Sequence, residues 1–218
     1  MIAAHGNEVG FATFGTDWLY LGVPAVAFVA IVAWLFATGT RAGGSFVSRT
    51  VLRIGSSLER VTGLPSWAAA GFGVATWALL VAVIGFLWDV AWHIDLGRDE
   101  FLFTPSHTMI LVGLGAIVAA AATAILFATV TRAETGWSWR SLRIPYGAGA
   151  LGVLGLGAIT GFPLDELWHA HYGIDVTMWG PTHLLMISGA SFTPLAMWLL
   201  LREAAPHAQD PRFVRGLQ

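Results

Sequence analysis

Two sets of residues in this chain of 218 have the types and spacing of metal ligands. Asp89 and His93 are followed by His107; Asp165, His169 and His183 repeat them 76 residues later (89 to 165, 93 to 169, 107 to 183). On a helix, side chains at i and i+4 share a face, with Cβ atoms about 5–6 Å apart. His107 and His183 each follow a proline by two positions. Pro105 and Pro181 fit the first position of a helix, with Thr104 and Gly180 as N-caps. A hairpin that folds those helix starts back beside the preceding helix ends would converge one carboxylate and two imidazoles on a point, twice over. That donor set suits a divalent first-row metal: imidazole ligates zinc, copper, iron and nickel, and two histidines with one carboxylate is also a non-haem iron pattern. Such a site needs neutral imidazoles and an ionised carboxylate, so its affinity should fall at low pH.

The ligands sit inside a longer repeat. GFLWDVAWHIDLGRDEFLFTPSHTMILVG from Gly85 and GFPLDELWHAHYGIDVTMWGPTHLLMISG from Gly161 align without a gap, sharing Gly, Phe, Asp, Trp, His and Pro positions. An Asp–His hydrogen bond tying helix ends together is the simpler reading of one such pair. A second copy, with its third residue at the same distance, outweighs it. Asp95 and His171 occupy equivalent positions but differ in type; they fit either ordinary interfacial residues or groups that support a ligand by hydrogen bonding. Asp99, Glu100 and Asp175 read as part of a solvated loop. His5 and His207 read as surface residues.

The elements that must position these ligands are membrane helices. Apolar residues make up 56% of the chain and charged ones only 11%, with a mean hydropathy of +0.69, against about 25% charged in a soluble domain. Five stretches reach the roughly 20 apolar residues a span requires: Trp18–Ala37, Ser66–His93, Pro105–Val130, Pro145–His169 and Pro181–Leu201. The fold expected is all-α and polytopic, with about five transmembrane helices and two tandem helical hairpins. Its parts are an N-terminal segment with the first span (1–64), a first hairpin (65–135), a second hairpin (136–203) and a polar tail (204–218). Both hairpins start on the same side, so an axis along the membrane normal should relate them. Between Arg41 and Val61, apolar and arginine residues alternate as in an amphipathic helix lying on the membrane surface, or in a partly ordered loop.

There is no lysine, and ten of the eleven arginines fall on one side: Arg41, Arg49, Arg53 and Arg60 after span one, Arg132, Arg140 and Arg143 after span three, and Arg202, Arg212 and Arg215 after span five. Only Arg98 falls on the other. Basic loops face the cytoplasm, so the expected location is a bacterial inner membrane with the N-terminus outside, the C-terminus inside and the metal sites near the outer face. The tryptophans near span ends, such as Trp92, Trp137, Trp139 and Trp168, fit an aromatic belt. A formal charge of −2 argues against a nucleic-acid partner. The absence of cysteine excludes disulfides and thiolate metal sites.

Asp89-x3-His93 followed by FTPSH ending at His107, and Asp165-x3-His169 followed by GPTH ending at His183, resemble the C-type subunit of the copper-dependent membrane monooxygenases, which act on methane, ammonia or short hydrocarbons. The resemblance covers about half the chain, roughly Gly85 to Gly189. It implies a copper-binding helical subunit within a hetero-oligomer, hydroxylating a small apolar substrate or ammonia with O2. Asp89, His93 and His107 match that family's first copper triad, and His169 and His183 match the histidines of its neighbouring site. Asp165 stands where the family generally has Asn, and the chain is short for such a subunit. These departures imply a divergent homologue, or a more symmetric duplication with two equivalent sites.

Other readings have specific costs. A metal transporter or storage protein would place its ligands near the midplane and lead a polar path inward. A bis-histidine haem protein has no use for aspartates one turn before two of its histidines. A zinc hydrolase needs a nearby base, for which Glu166 or Asp95 could be proposed. The resemblance implies copper as the metal, with iron and zinc as alternatives that the same donors admit.

Overall fold

The computed structural model describes residues 10–41, 44–97, 103–172 and 179–209, with side chains left out at 10–17 and 170. Among the described residues the chain forms six α-helices: α1 (Gly10–Gly39), α2 (Phe46–Thr62), α3 (Ser66–Leu96), α4 (Pro105–Val130), α5 (Tyr146–Tyr172) and α6 (Pro181–Ala204). Five of them are long and apolar enough to cross a membrane, and the expected all-α polytopic fold is the one observed. Each expected span matches one of these five, and the ends agree to within a turn except at the N-terminus of α1. Apolar residues surround α3 to α6 on all sides, as they must when one face meets lipid and the other meets neighbouring helices.

Each hairpin is an antiparallel pair, α3 with α4 and α5 with α6, and the pairs close at matching glycines. A Cβ on Gly113 would lie 2.6 Å from the Ala82 backbone nitrogen, and one on Gly189 would lie 2.6 Å from the Ala158 Cβ. Ala82 and Ala158 are themselves 76 residues apart. Lower in the bundle, Gly71 faces Ala124 and Gly147 faces Leu200, again at the repeat offset. The duplication visible in sequence around the ligands therefore runs through both hairpins, carried by small residues where backbones cross. The hairpins meet along α4 and α5, where Gly155 packs on Ile117 and Val118 and Gly152 lies 3.6 Å from the Ala121 Cβ. Ala120, Ala124, Leu151, Ala158 and Leu200 lie in the buried core.

The connections sort to two ends. At one lie the starts of α4 and α6 and the ends of α3 and α5, with the six ligand candidates. At the other lie α2, the α4–α5 link and the end of α6. The N-terminal half of α1 reaches the ligand end, where Tyr20 meets Phe103 edge-on at 5.6 Å. Its last residue, Gly39, packs on Leu126, Val130 and Val47 at the other. All eight arginines among the described residues lie at this second end and are exposed. Arg98, Asp99, Glu100 and Asp175 fall outside the described residues, as does His5.

α2 lies across the arginine end. Its capping box pairs the Ser45 and Ser48 side chains with each other's backbone N–H, and Gly63 closes it in the left-handed conformation (φ 68°). Val47 touches the end of α1, and Gly55 touches Ser66 and Phe127 at the ends of α3 and α4. The Glu59 carboxylate accepts the Ser66 N–H at 2.9 Å, capping α3. Beside this packed face runs an exposed apolar stripe of Phe46, Ile54 and Val61, and beyond it a face of Arg49, Arg53 and Arg60. Of the two readings open for this segment, the helix is the one formed. Three-sided amphipathicity of this kind suits the boundary between acyl chains and water.

Two features lie outside the expected plan. The α4–α5 link holds a two-stranded antiparallel hairpin, β1 (Trp137–Trp139) and β2 (Leu142–Ile144), which carries two of the tryptophans assigned to span ends. The described start of the tail, up to Gln209, is ordered: a 3-10 turn follows α6 over Ala205–His207, and the Gln209 N–H donates to the Gly63 carbonyl at 2.9 Å. The crossings predict that Gly113→Leu or Gly189→Leu destabilises the fold by about 1–3 kcal/mol or more through overpacking, lowering the thermal midpoint in detergent. Because the chain has no cysteine, single cysteines can probe α2. In liposomes, a label at Ile54→Cys should be quenched by brominated acyl chains and one at Arg53→Cys should not; equal aqueous access of both would contradict the interfacial placement.

Candidate metal centre

The two triads form as the spacing predicts. Asp89 and His93 lie in the last turns of α3, and His107 lies in the first turn of α4. Thr104 caps α4 by accepting the His107 N–H at 3.3 Å, with Pro105 as first residue. In site one, His93 Nδ1 lies 3.5 Å from Asp89 Oδ2, and His107 Nε2 lies 3.1 Å from Asp89 Oδ1. In site two, α5 presents Asp165 and His169, and α6 presents His183 behind Gly180 and Pro181. There His169 Nδ1 and His183 Nε2 lie 3.8 Å and 3.3 Å from the same oxygen, Asp165 Oδ2. The imidazole pairs have near-equal centroid separations, 5.9 Å and 6.1 Å.

These distances suit one ion per triad. In each site, one ligand atom from every residue falls within 4.8 Å of the others. A tetrahedral ion bound at about 2.1 Å needs its ligand atoms about 3.4 Å apart, which small side-chain rotations would reach. Both aspartates are only 15% exposed, so each carboxylate is largely removed from water. The buried Nε2 of His169 has no hydrogen-bond partner among the described residues. A buried polar atom in that state is costly.

Two further residues belong to the sites and were not singled out from sequence. Ser106 Oγ donates to Asp89 Oδ1 at 2.8 Å. In site two Thr182 Oγ1 donates to Asp165 Oδ1. Ser106 and Thr182 are equivalent positions in the repeat, and a hydroxyl kept at both copies was the signal available. Asp95 and His171 do not join either triad: both are exposed, and His171 packs edge-on against Tyr172.

The sites are not identical. The His107 ring meets Phe162 edge-on at 6.1 Å, and Phe162 stands three residues before Asp165 on α5. Site one thus packs directly against the helix that carries site two. Phe162 is 5% exposed, whereas its repeat counterpart Phe86 is 36% exposed. In site two the hydroxyl and the histidines use different carboxylate oxygens; in site one Ser106 and His107 both approach Oδ1.

Comparison with family models, with curated proteins and with solved structures finds no match. The chemistry therefore rests on the residues themselves. His93→Ala and His169→Ala should each remove about one bound ion per chain and leave the other site filled, read by metal analysis after equilibrium dialysis. The remaining affinity should fall as the buffer is acidified, because protonated imidazole cannot ligate.

Proposed function

We propose that this membrane protein binds copper at two Asp-His-His sites, and that it is the metal-binding subunit of a monooxygenase-like complex. The carrying observation is the duplicated triad of one carboxylate and two imidazoles, set in membrane helices and formed with the same partners in both hairpins. Ionisable groups within a span are expensive and are by default functional. With no cysteine available, the donors are nitrogen and oxygen only, a set that copper shares with iron and zinc. The motif Asp-x3-His with Pro-Ser/Thr-His, in both copies, supports copper through its resemblance to the C-type subunit of the copper membrane monooxygenases.

In this reading the arginine end faces the cytoplasm and the triads face the exterior, in keeping with the basic-side bias. Bound copper would supply one-electron redox chemistry toward O2. The chain's own contribution is to hold the ion between the outer ends of two helices, where a small apolar substrate dissolved in lipid can approach. Neither triad contains an acid or base beyond its ligands, and in this reading the electrons that O2 activation requires come from other members of a hetero-oligomer. The position of the ligands at helix ends, instead of at mid-bundle, is less suited to transport.

Elemental analysis of the chain purified from its membrane without added metal tests the reading. The expected result is copper at up to two ions per chain, one for each triad. Zinc as the sole metal would overturn the copper assignment and favour a hydrolase. Visible absorption of the same sample should show no haem band.

A further inference from the structure

We infer that Ser106 and Thr182 are positioning residues that fix the orientation of the two metal-binding carboxylates, so that each centre is built from four residues instead of three. The inference rests on the metal reading above and goes beyond it by assigning a role to the residue between the proline and the histidine.

A serine or threonine in the first turn of a helix ordinarily meets water or a nearby backbone group. Neither does so here. Ser106 is fully buried and Thr182 is 7% exposed. Each hydroxyl donates to the carboxylate that stands 17 residues earlier on the partner helix of its hairpin, and Ser106 Oγ also lies 3.1 Å from Thr104 Oγ1. The backbone is arranged to allow it. Gly85 and Gly161 stand one turn before Asp89 and Asp165 on the same helix face. A Cβ added at Gly85 would lie 3.1 Å from the Ser106 carbonyl oxygen, and one at Gly161 would lie 3.1 Å from the Thr182 carbonyl oxygen. The bare glycine lets the first turn of α4 or α6 settle onto α3 or α5, and the hydroxyl then reaches the carboxylate.

The chemical consequence is a carboxylate that cannot rotate freely. With Oδ1 held by a hydroxyl, the remaining lone pairs keep a fixed aim toward the histidines. Hydrogen bonds that orient ligands in this way typically contribute 10–100-fold to metal affinity. The duplication also provides a conservative exchange, because serine and threonine each serve in one copy.

The test uses copper(II) as probe and the full-length chain in detergent. Each site is isolated by His→Ala substitution in the other: His169→Ala and His183→Ala to leave site one, His93→Ala and His107→Ala to leave site two. In these parents, Ser106→Ala and Thr182→Val should weaken copper(II) binding roughly 10–100-fold and alter the copper hyperfine splitting in electron paramagnetic resonance. Ser106→Thr and Thr182→Ser should stay near the parent in both readouts. Copper(II) bound by both Ser106→Ala and Thr182→Val with parental affinity and spectrum would overturn the inference while leaving the metal reading intact. So would an equal loss in the serine–threonine exchanges, which would make packing the cause. Parents that bind no copper(II) would overturn both. To separate local loss from misfolding, Ser106→Ala is also made in the otherwise intact chain, where retained binding at site two is the expected result; loss at both sites there would count against a local role.

Discussion

A carboxylate within a membrane span must be held by donors or by a cation, because leaving it uncompensated in hydrocarbon costs several kcal/mol. Much of the architecture at the triad end follows from meeting that demand for Asp89 and Asp165. Each receives a hydroxyl from the returning helix and faces an imidazole from its own helix and another from across the hairpin. The demand is met only if two helices come close at one level. Glycine supplies that closeness at 85 and 161, and again one crossing lower at 113 and 189.

Duplication gives two centres, and packing between the hairpins makes them unequal. α4 and α5 form the seam, and the seam carries His107 of one site against Phe162 beside the other. Site one is therefore in direct contact with the helix that holds Asp165. Its repeat counterpart, Phe86, is more exposed than Phe162, so the two hairpins surround their sites differently. Two sites with one donor set can thus differ in affinity without any difference in ligand type.

The sequence displays the spans, the repeat and the triads because each is written in a short-range code: hydropathy over about 20 residues, i and i+4 spacing, and proline at a helix start. It leaves α2 open between a surface helix and a partly ordered loop, because arginine and apolar alternation alone does not separate the two. What it hides is long-range. Gly71 against Ala124 and Gly147 against Leu200 are glycines in a glycine-rich background until the helices are paired. Ser106 and Thr182 look like ordinary small residues next to the more conspicuous histidines. The β1–β2 hairpin is hidden because three-residue strands lie below any periodic signal. The assignment of a metal comes from donor chemistry and motif resemblance.

X-ray absorption at the metal edge of the loaded chain addresses the central claim most directly. The account predicts a nitrogen and oxygen shell with outer scattering from two imidazoles per ion and no sulphur. A shell without imidazole scattering, or one containing sulphur, would contradict the Asp-His-His assignment.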